Sequence, residues 1–396
     1  MSQNNQKTSV KWPIKTMSEI VEFAYGQNLP KEKRITGNCE VYGSNGVVGS
    51  HNQFFVEGPG IIIGRKGSIG KVIYTDKNFW PIDTTYYVKP IDELDLKWLY
   101  YCLQMLKLDK LNSATGVPGL NRNDVYSKKI LFPPINTQQK IATILSTIDE
   151  AIQKTDQIIE KTEKLKNGLM NEMLTKGIGH TKFKKTKLGE IPEEWNVVQL
   201  SELSYITKLA GYEFTKYFNS YKDQGEMIII RGLNLKNREL DLSNIKTIPK
   251  SVADNLQRSK LSSGDLVFSY VGTIGPVAVI TENNKYHLGP NVCKISPNKY
   301  VSSNYLYQYF LSELIKKEIN KKISVTAQPS LSMEKIRVFE IILPSNMDEQ
   351  NKICEILMNF DKKNRNYVAT KEKLLVIKSG LMNDIFSQKV EVNNAT

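Results

Sequence analysis

A chain of 396 residues is long enough for two domains, and its 54 Lys and Arg against 41 Asp and Glu give a formal net charge of +13 at pH 7. The excess positive charge is spread along the chain, which favours an extended polyanion such as nucleic acid as partner over a basic arm on a neutral domain. Four scattered cysteines, histidines far from them and the absence of a long apolar run predict no disulfide framework, no metal, no cofactor and no membrane segment, hence a reduced, soluble, cytoplasmic protein.

The first segment, residues 1–136, is predicted to be a globular domain of strands and helices. Short apolar runs such as residues 61–63 are bounded by Gly, Pro, Asn and Ser, as is typical of strands, and a helical pattern lies near residues 96–108. The stretch YGSNGVVGSHN from Tyr42 lacks the G-x-G-x-x-G spacing and the following helix of a dinucleotide loop. We therefore predict a tight turn between two strands there.

The second segment, residues 137–187, is predicted to be a long helix with a spacer, and its helical pattern runs from Gln138 to Met173. Pro133 and Pro134 precede it, and Asn136 or Thr137 is suited to cap it. Apolar or small side chains recur at spacings of three and four residues, as in a coiled-coil seam whose middle is polar. The predicted seam consists of Ile141, Ile144, Ile148, Ala151, Thr155, Ile158, Thr162, Leu165 and Leu169.

The third segment, residues 188–345, repeats the first, and the fourth, residues 346–396, repeats the second. Matched blocks occur in the same order in both halves, with longer insertions between them in the second. Strands are predicted at residues 227–230 and 266–268 and helices near 303–319. The matched blocks begin at Trp12 and Trp195, at Ile61 and Leu266, at Val117 and Gln328, at Lys140 and Lys352, and at Gly168 and Gly380.

The second long helix is predicted to follow Pro344, with Asp348 as its cap. A helix of about 39 residues is roughly 58 Å long at 1.5 Å per residue. Because each helix follows its own domain, we expect the two to pack antiparallel within one chain; a coil between two molecules is the alternative. The second seam consists of Ile353, Ile356, Phe360, Lys363, Tyr367, Thr370, Leu374, Ile377 and Leu381.

Catalytic motifs are not found. The chain has no G-x-x-x-x-G-K-[ST] phosphate loop, and GRKGSIGK at 64–71 has the wrong Gly spacing. FPPI at 132–135 lacks the polar and aromatic residues of an amino-methyltransferase motif. The sequence thus favours a non-enzymatic protein. A self-contained DNA methyltransferase or nuclease with an unrecognised site is the alternative, and a coiled-coil scaffold without DNA specificity is a further one.

Several duplicated motifs resemble the specificity subunit of type I restriction-modification systems, over nearly the whole chain. They are LGEIPEEW at 188–195, the Gly-Ser-Ile-Gly and Gly-Thr-Ile-Gly turns, and the run from Pro329 through Leu331 and Pro344 to Gln350 and Leu357. The first half departs from the pattern, because no Gly-x-Ile-Pro precedes its tryptophan, so its N-terminal edge is expected to be shorter or differently packed.

The resemblance implies an α+β fold with a pseudo-two-fold repeat: two target-recognition domains of mixed α/β structure, joined by two long helices that form an intramolecular antiparallel coiled coil. Each domain would read one half of a split DNA site. The implied partners are double-stranded DNA, two methyltransferase subunits and, in the full complex, restriction subunits. The subunit itself would carry out no catalysis.

DNA contacts are predicted in the Gly turns and in loops that have no counterpart in the other half, because Arg, Lys and Asn are the usual base readers and phosphate ligands. Since these loops differ, we predict an asymmetric, bipartite target. Arg122 and Gln328, beside the shared Pro-x-Leu turns, are secondary candidates. The main candidates are Asn45, His51, Arg65, Lys66 and Ser68 in the first domain and Arg231, Asn234, Tyr270 and Thr273 in the second.

Overall fold

The computed structural model describes residues 11–111, 119–217, 225–236, 239–323, 329–390 and 392. Gln328 lies outside the described residues. Packing divides the chain into a first unit, Met1–Gln157 with Val368–Thr396, and a second unit, Ile158–Tyr367. The four-segment division follows the sequence repeat rather than packing and remains a proposal.

Among the described residues, the first unit contains a four-stranded sheet, a three-stranded sheet, a two-stranded sheet that pairs Ile14–Thr16 with Lys129–Leu131, and a helical layer. The strand order β2-β8-β5-β6 is antiparallel throughout, and in the order β4-β3-β7 the β3–β7 pair is parallel. The strand at residues 61–63, the helix near 96–108 and the turn after Tyr42 are confirmed. The elements are β1 (Ile14–Thr16), α1 (Met17–Ile20), β2 (Val21–Tyr25), β3 (Cys39–Gly43), β4 (Gly46–His51), β5 (Gly60–Gly64), β6 (Val72–Thr75), β7 (Phe79–Pro81), β8 (Thr85–Pro90), α2 (Leu96–Met105), α3 (Arg122–Tyr126), β9 (Lys129–Leu131) and the first part of α4 (Ile135–Lys176).

The second unit repeats this plan. Its sheet β13-β21-β18-β19 corresponds to β2-β8-β5-β6, and a further sheet has the order β17-β14-β20. Its strands are β10 (Phe183–Thr186), β11 (Gly189–Pro192), β12 (Asn196–Gln199), β13 (Ser204–Lys208), β14 (Met227–Ile230), β15 (Leu235–Lys236), β16 (Glu239–Leu240), β17 (Lys246–Ile248), β18 (Leu266–Ser269), β19 (Val277–Val279), β20 (Tyr286–Leu288), β21 (Val292–Pro297) and β22 (Glu340–Leu343). Its helices are α5 (Leu200–Leu203), α6 (Gly211–Tyr217), α7 (Lys250–Ala253), α8 (Ser303–Leu311), α9 (Glu313–Lys322), α10 (Met333–Arg337) and the first part of α11 (Met347–Phe386).

The two long helices pack antiparallel, as predicted. In each pair of contacting residues from the two helices, the two residue numbers add up to the same value. A constant sum means an unchanged antiparallel register, so the register is the same in both units. The repeat that matches Lys140 with Lys352 also matches Asp149 with Asp361 and Lys166 with Lys378. The polar contacts join Asp149 Oδ1 to Lys378 Nζ (2.6 Å) and Asp156 Oδ1 to Lys371 Nζ (2.6 Å) in the first unit, and Asp361 Oδ1 to Lys166 Nζ (2.5 Å) and Glu163 Oε1 to Asn364 Nδ2 (3.1 Å) in the second.

Part of the predicted seam is wrong. Ile144, Ile158, Leu165 and Ile377 are 39%, 41%, 61% and 55% exposed. Successive residues of a helix point about 100° apart, so an error of one position moves a side chain off the buried face. The inward positions are taken by residues next to some of the predicted ones, among them Leu145, Lys166, Met170 and Lys378. Lysine stems pack well at such places when the ammonium group is paired.

The predicted caps are also wrong. Asn136 and Thr137 lie inside α4, where the carbonyl of Pro134 accepts a hydrogen bond from the N–H of Thr137 at 2.8 Å. Pro134 therefore directs the chain into the helix without a side-chain cap. Asp348 lies inside α11, and the Oδ1 of Asn346 accepts instead from a backbone N–H three residues later, at 2.7 Å.

A buried glutamine in the first turn of each long helix ties that helix to its domain. Gln138 Oε1 accepts from the N–H of Asp95, which caps α2, at 2.9 Å. Gln350 Oε1 accepts from the N–H of Ser302, just before α8, at 2.8 Å. Because these contacts are equivalent, each domain joins its long helix in the same way.

The N-terminal edges of the two domains are packed differently, as predicted. Trp195 is fully buried and its Nε1 donates to Glu349 Oε2 at 3.0 Å. Glu349 Oε1 also accepts from His180 Nε2 at 2.8 Å. Trp12 is only half-buried. The segment that contains LGEIPEEW therefore has an anchor on α11.

All four cysteines are buried and free, and burial raises the pKa of Cys354 to about 12. Within the described ranges, no group of three or more His, Cys, Asp and Glu is arranged to hold a metal ion. None of the helices in the part of the chain that the structure describes has the length and apolarity needed to cross a bilayer.

Candidate nucleic-acid interface

The most closely repeated local structure is a tight turn after β5 and after β18. Gly67 and Gly70 have φ of +75° and +72°, and the matched Gly272 and Gly275 have +75° and +114°. Such φ values favour glycine because side chains with a Cβ are strained there. The N–H of the second glycine donates to the carbonyl of the last strand residue, at 2.8 and 3.1 Å. The motif match therefore corresponds to one turn conformation.

The shared Pro-x-Leu loop lies against this turn in both units. The N–H of Leu120 donates to the carbonyl of Arg65 at 2.9 Å, and the N–H of Leu331 donates to that of Tyr270 at 2.9 Å. Arg65 and Tyr270 thus occupy equivalent backbone positions, fixed by two loops. Their side chains differ completely, so the two domains are chemically different at this equivalent position.

In the first unit, Arg65, Tyr25 and Arg122 form a cluster that we call the arginine–tyrosine cluster. The Arg65 and Arg122 guanidinium carbons lie 5.1 and 5.2 Å from the centroid of the Tyr25 ring. Tyr25 ends β2, is 49% exposed, and lies 5.2 Å from the ring of Tyr86. Arg65 Nη2 donates to the carbonyl of Asp83 at 2.7 Å. Two cations therefore lie at one accessible ring.

In the second unit, the positions of the cation and the aromatic ring are exchanged: the strand end carries the cation and the turn carries the ring. Lys208 ends β13 as Tyr25 ends β2, and its Nζ lies 5.7 Å from the centroid of the Tyr270 ring. Tyr270 is 9% exposed, and burial raises its pKa to about 12. Met333, at the start of α10, stands where Arg122 starts α3. The second unit therefore offers one exposed ammonium group at this place.

The other first-domain candidates have different environments. Asn45 is exposed in the β3–β4 turn, and Lys66 and Ser68 are exposed in the Gly turn. His51 is 6% exposed, and its Nδ1 accepts a hydrogen bond from the N–H of Ile35 at 3.0 Å. In this structure Asn45, Lys66 and Ser68 are accessible to a ligand, and His51 supports its own loop.

The second-domain candidates divide in the same way. Thr273 is exposed in the Gly turn. Arg231 Nη2 donates to the carbonyl of Asn244 at 2.8 Å. Asn234 is 1% exposed, accepts from the N–H of Arg231 at 3.1 Å and donates to the carbonyl of Asn244 at 2.9 Å. These last two side chains close the loop that follows β14.

Tyr25 and Lys208 were missed by sequence reasoning. Neither lies in a Gly-rich turn or in a loop that is unique to one half. Both end the strand that follows the blocks starting at Trp12 and Trp195. Extending that alignment by a few residues pairs Tyr25 with Lys208, and this was the available signal.

Comparisons with known proteins agree with this architecture. A family profile described as "Type I restriction modification DNA specificity domain" matches residues 9–164 and 192–375. The Type I restriction enzyme MjaVIII specificity subunit of Methanocaldococcus jannaschii is 26% identical over 348 residues, covering 84% of this chain and 77% of the relative. The Type I restriction enzyme EcoBI specificity subunit of Escherichia coli is 22% identical over 277 residues, covering 66% and 58%.

Solved structures show the same fold. A crystal structure of a type I restriction-modification system S subunit from M. genitalium superposes with a TM-score of 0.61 at 19% identity, covering 98% of both chains. A chain from a structural study of complex assembly and conformational transition of the type I R-M system superposes with a TM-score of 0.56 at 13% identity, covering 95% of this chain and 98% of that one.

Proposed function

Since this chain belongs to the type I restriction-modification DNA specificity domain family, whose members recognise DNA targets without catalysis, we propose that it reads an asymmetric, bipartite DNA site and brings methyltransferase subunits to it. The observation that carries the proposal is the shared turn, which has matched backbone hydrogen bonds in both units but carries Arg65 in one and Tyr270 in the other. Two different half-sites require the same backbone arrangement in both domains with different side chains on it.

The DNA-contacting surface that we propose includes the Gly turns and the β3–β4 turn. Lys71 Nζ donates to the carbonyl of Asn45 at 2.7 Å, so the β3–β4 turn and the Gly turn lie side by side. With Lys66 exposed in the same turn, this edge combines cations for phosphates with amide and hydroxyl groups for base edges. His51, Arg231 and the other predicted contacts remain part of the proposal.

Methyltransferase docking is proposed on the outward face of the long helices. Leu165 on α4 and Ile377 on α11 are 61% and 55% exposed and are matched by the repeat. An exposed leucine and an exposed isoleucine at equivalent positions favour two equivalent partner sites. We further propose that restriction subunits join the full complex and that the complex acts in the cytoplasm.

The deciding experiment is the sequencing of methylated bases in cells with and without the gene. Loss of one bipartite methylation motif supports the proposal and names both half-sites. A palindromic motif, or no change in methylation where a partner methyltransferase is present, argues against it. Incubating the purified chain with DNA and either S-adenosylmethionine or Mg²⁺ tests the alternative, because methylation or cleavage by the chain alone would identify an enzyme.

Docking is tested by co-purifying the methyltransferase with Leu165→Ser, Ile377→Ser and the double variant. Each single variant is expected to lose one of two methyltransferase subunits, measured as complex mass, and the double variant both. Ile91→Ser is the matched control, because Ile91 is 63% exposed but lies outside the long helices. Retention of both subunits by the double variant contradicts the assignment of this face.

A further inference from the structure

We propose that the two domains use the place beside the Gly turn for different kinds of DNA contact. In the first domain, Arg122, held by the arginine–tyrosine cluster, reads a guanine; in the second, Lys208 binds a phosphate. This inference rests on the proposed function, because it assigns the chemistry by which the same interface acts.

Arg122 has donor groups that none of the described residues uses. Asn121 caps α3 by accepting from the N–H of Asn123 at 3.0 Å, which fixes the backbone at Arg122. The side chain lies over Tyr25 and, across the residues that the structure describes, has no hydrogen-bond acceptor or ion-pair partner. A guanidinium group that is held in place with its N–H groups free is prepared for an external acceptor.

Arg65 has a supporting role beside it. Its Nε and Nη2 both donate to the carbonyl of Asp83, at 3.3 and 2.7 Å, so its plane is fixed by the protein. Its charge, on the same Tyr25 ring as Arg122, makes the site attractive to an electron-rich ligand. Tyr25 and Arg65 are therefore positioning residues for Arg122.

Guanine is the ligand that fits a free, planar guanidinium group best at this place. Its O6 and N7 are two acceptors spaced to receive two parallel N–H donors in the major groove. A phosphate also accepts such a pair, but a phosphate contact does not require a planar donor, because lysine makes it as a point charge. The Tyr25 ring beside Arg122 restricts where its guanidinium group lies, which suits the reading of a base edge.

The second domain lacks these features. Met333 replaces Arg122, so the described residues of the second unit carry no guanidinium group at the position that starts α10. Lys208 carries a compact charge on a flexible stem and lies over Tyr270, which is buried against the turn and is itself closed to a base. Such an ammonium group suits a phosphate, which fixes position but not sequence.

The experiment is a binding selection by the full-length chain from a library of random-sequence DNA duplexes, followed by sequencing. Arg122→Lys keeps the positive charge and removes the two parallel N–H donors of the guanidinium group. Lys208→Ala is compared with Lys299→Ala, a matched control, because Lys299 lies 5.2 Å from the ring of Tyr300 just beyond the far end of β21. Thermal unfolding of each variant, and a second variant Arg122→Gln, separate a folding defect from lost recognition.

We expect Arg122→Lys to lose preference for guanine at one position of one half-site by about 5- to 150-fold, with the other half-site unchanged. Lys208→Ala should bind all sequences more weakly, keep every base preference and reduce the slope of log affinity against log salt by about 1. Lys299→Ala should behave as the wild type.

The outcomes separate this inference from the proposed function. A wild-type chain that selects no motif overturns both. A wild-type bipartite motif that Arg122→Lys leaves intact, with binding weakened evenly or not at all, overturns only the guanine contact. A changed base preference in Lys208→Ala overturns the assignment of Lys208 to phosphate.

Discussion

Replacing Lys166 by methionine should destabilise the second unit far more than the matched change of Lys378 destabilises the first. The Lys166 side chain is 4% exposed and that of its partner Asp361 is 19% exposed, whereas Lys378 and Asp149 are 15% and 34% exposed. Both lysines occupy the same position of the repeat. The two pairs therefore differ in how far they are withdrawn from water, and Asp149 Oδ2 additionally accepts a hydrogen bond from Tyr101 Oη at 2.8 Å.

The expected magnitudes follow from that difference. Removing one member of a buried ion pair leaves the other charge without its counter-ion, at a cost of about 3 kcal/mol. For the more exposed pair, water screens the remaining charge and the cost falls to about 1 kcal/mol. Asp361 keeps a contact with Gln308 Nε2 at 3.5 Å, so Asp361→Asn retains an acceptor there. The double variant Lys166→Met/Asp361→Asn should recover most of the lost stability.

Native-state hydrogen exchange read segment by segment is the suitable assay, because one unfolding midpoint would average the two units. Lys166→Met should speed exchange in residues 158–176 and 347–367 by about 100-fold, and Lys378→Met should speed exchange in 135–157 and 368–386 by about 5-fold. Equal effects of the two single variants, or a double variant whose cost is the sum of its parts, would refute the reasoning from burial.

Two further predictions concern the second unit. Burial, with Lys260 and Lys294 nearby, lowers the pKa of His287 to about 4, so neutral His287 stabilises the fold above pH 6.5, and about 3 kcal/mol should be lost as the pH falls from 6.5 to 4. Urea unfolding of His287→Gln at pH 7 and 4.5 should show a smaller pH dependence than the wild type; an equal dependence contradicts the assignment. Glu349→Ala should cost about 1–3 kcal/mol, because the buried Trp195 Nε1 loses its acceptor, whereas Glu355→Ala on the exposed face of α11 should leave the thermal midpoint unchanged.

The repeat, the two long helices, several strands and the Gly turns could be predicted from sequence, because each depends on local pattern or on duplication. Gly67 and Gly272 are recognisable since only glycine adopts such φ values easily. Which side of each long helix is buried was harder to predict from the sequence. Leu165 and Lys166 are neighbours, and the apolar residue faces outward while the lysine is buried. Residue polarity alone gives the opposite assignment, because Lys166 pairs with Asp361 only when two segments distant in the sequence pack together.

The candidate interface was predicted in outline only. Arg65, Lys66 and Thr273 were proposed because they belong to the turn itself. His51 and Asn234 were chosen as polar residues in loops unique to one half, yet both are buried and hydrogen-bonded, His51 to Ile35, before β3, and Asn234 to Asn244, in its own loop. A loop sequence does not reveal which polar side chains close the loop and which face solvent. That distinction depends on backbone groups that the loop brings into reach.

The interleaving of the two units also affects how the chain folds during synthesis. The second unit is one continuous stretch, Ile158–Tyr367, whereas the first is completed by Val368–Thr396. Met382 and Ile385 belong to the apolar core of the first unit. On the ribosome, a segment synthesised after the second unit is therefore required to complete the first, and the second unit should reach its native packing before the first.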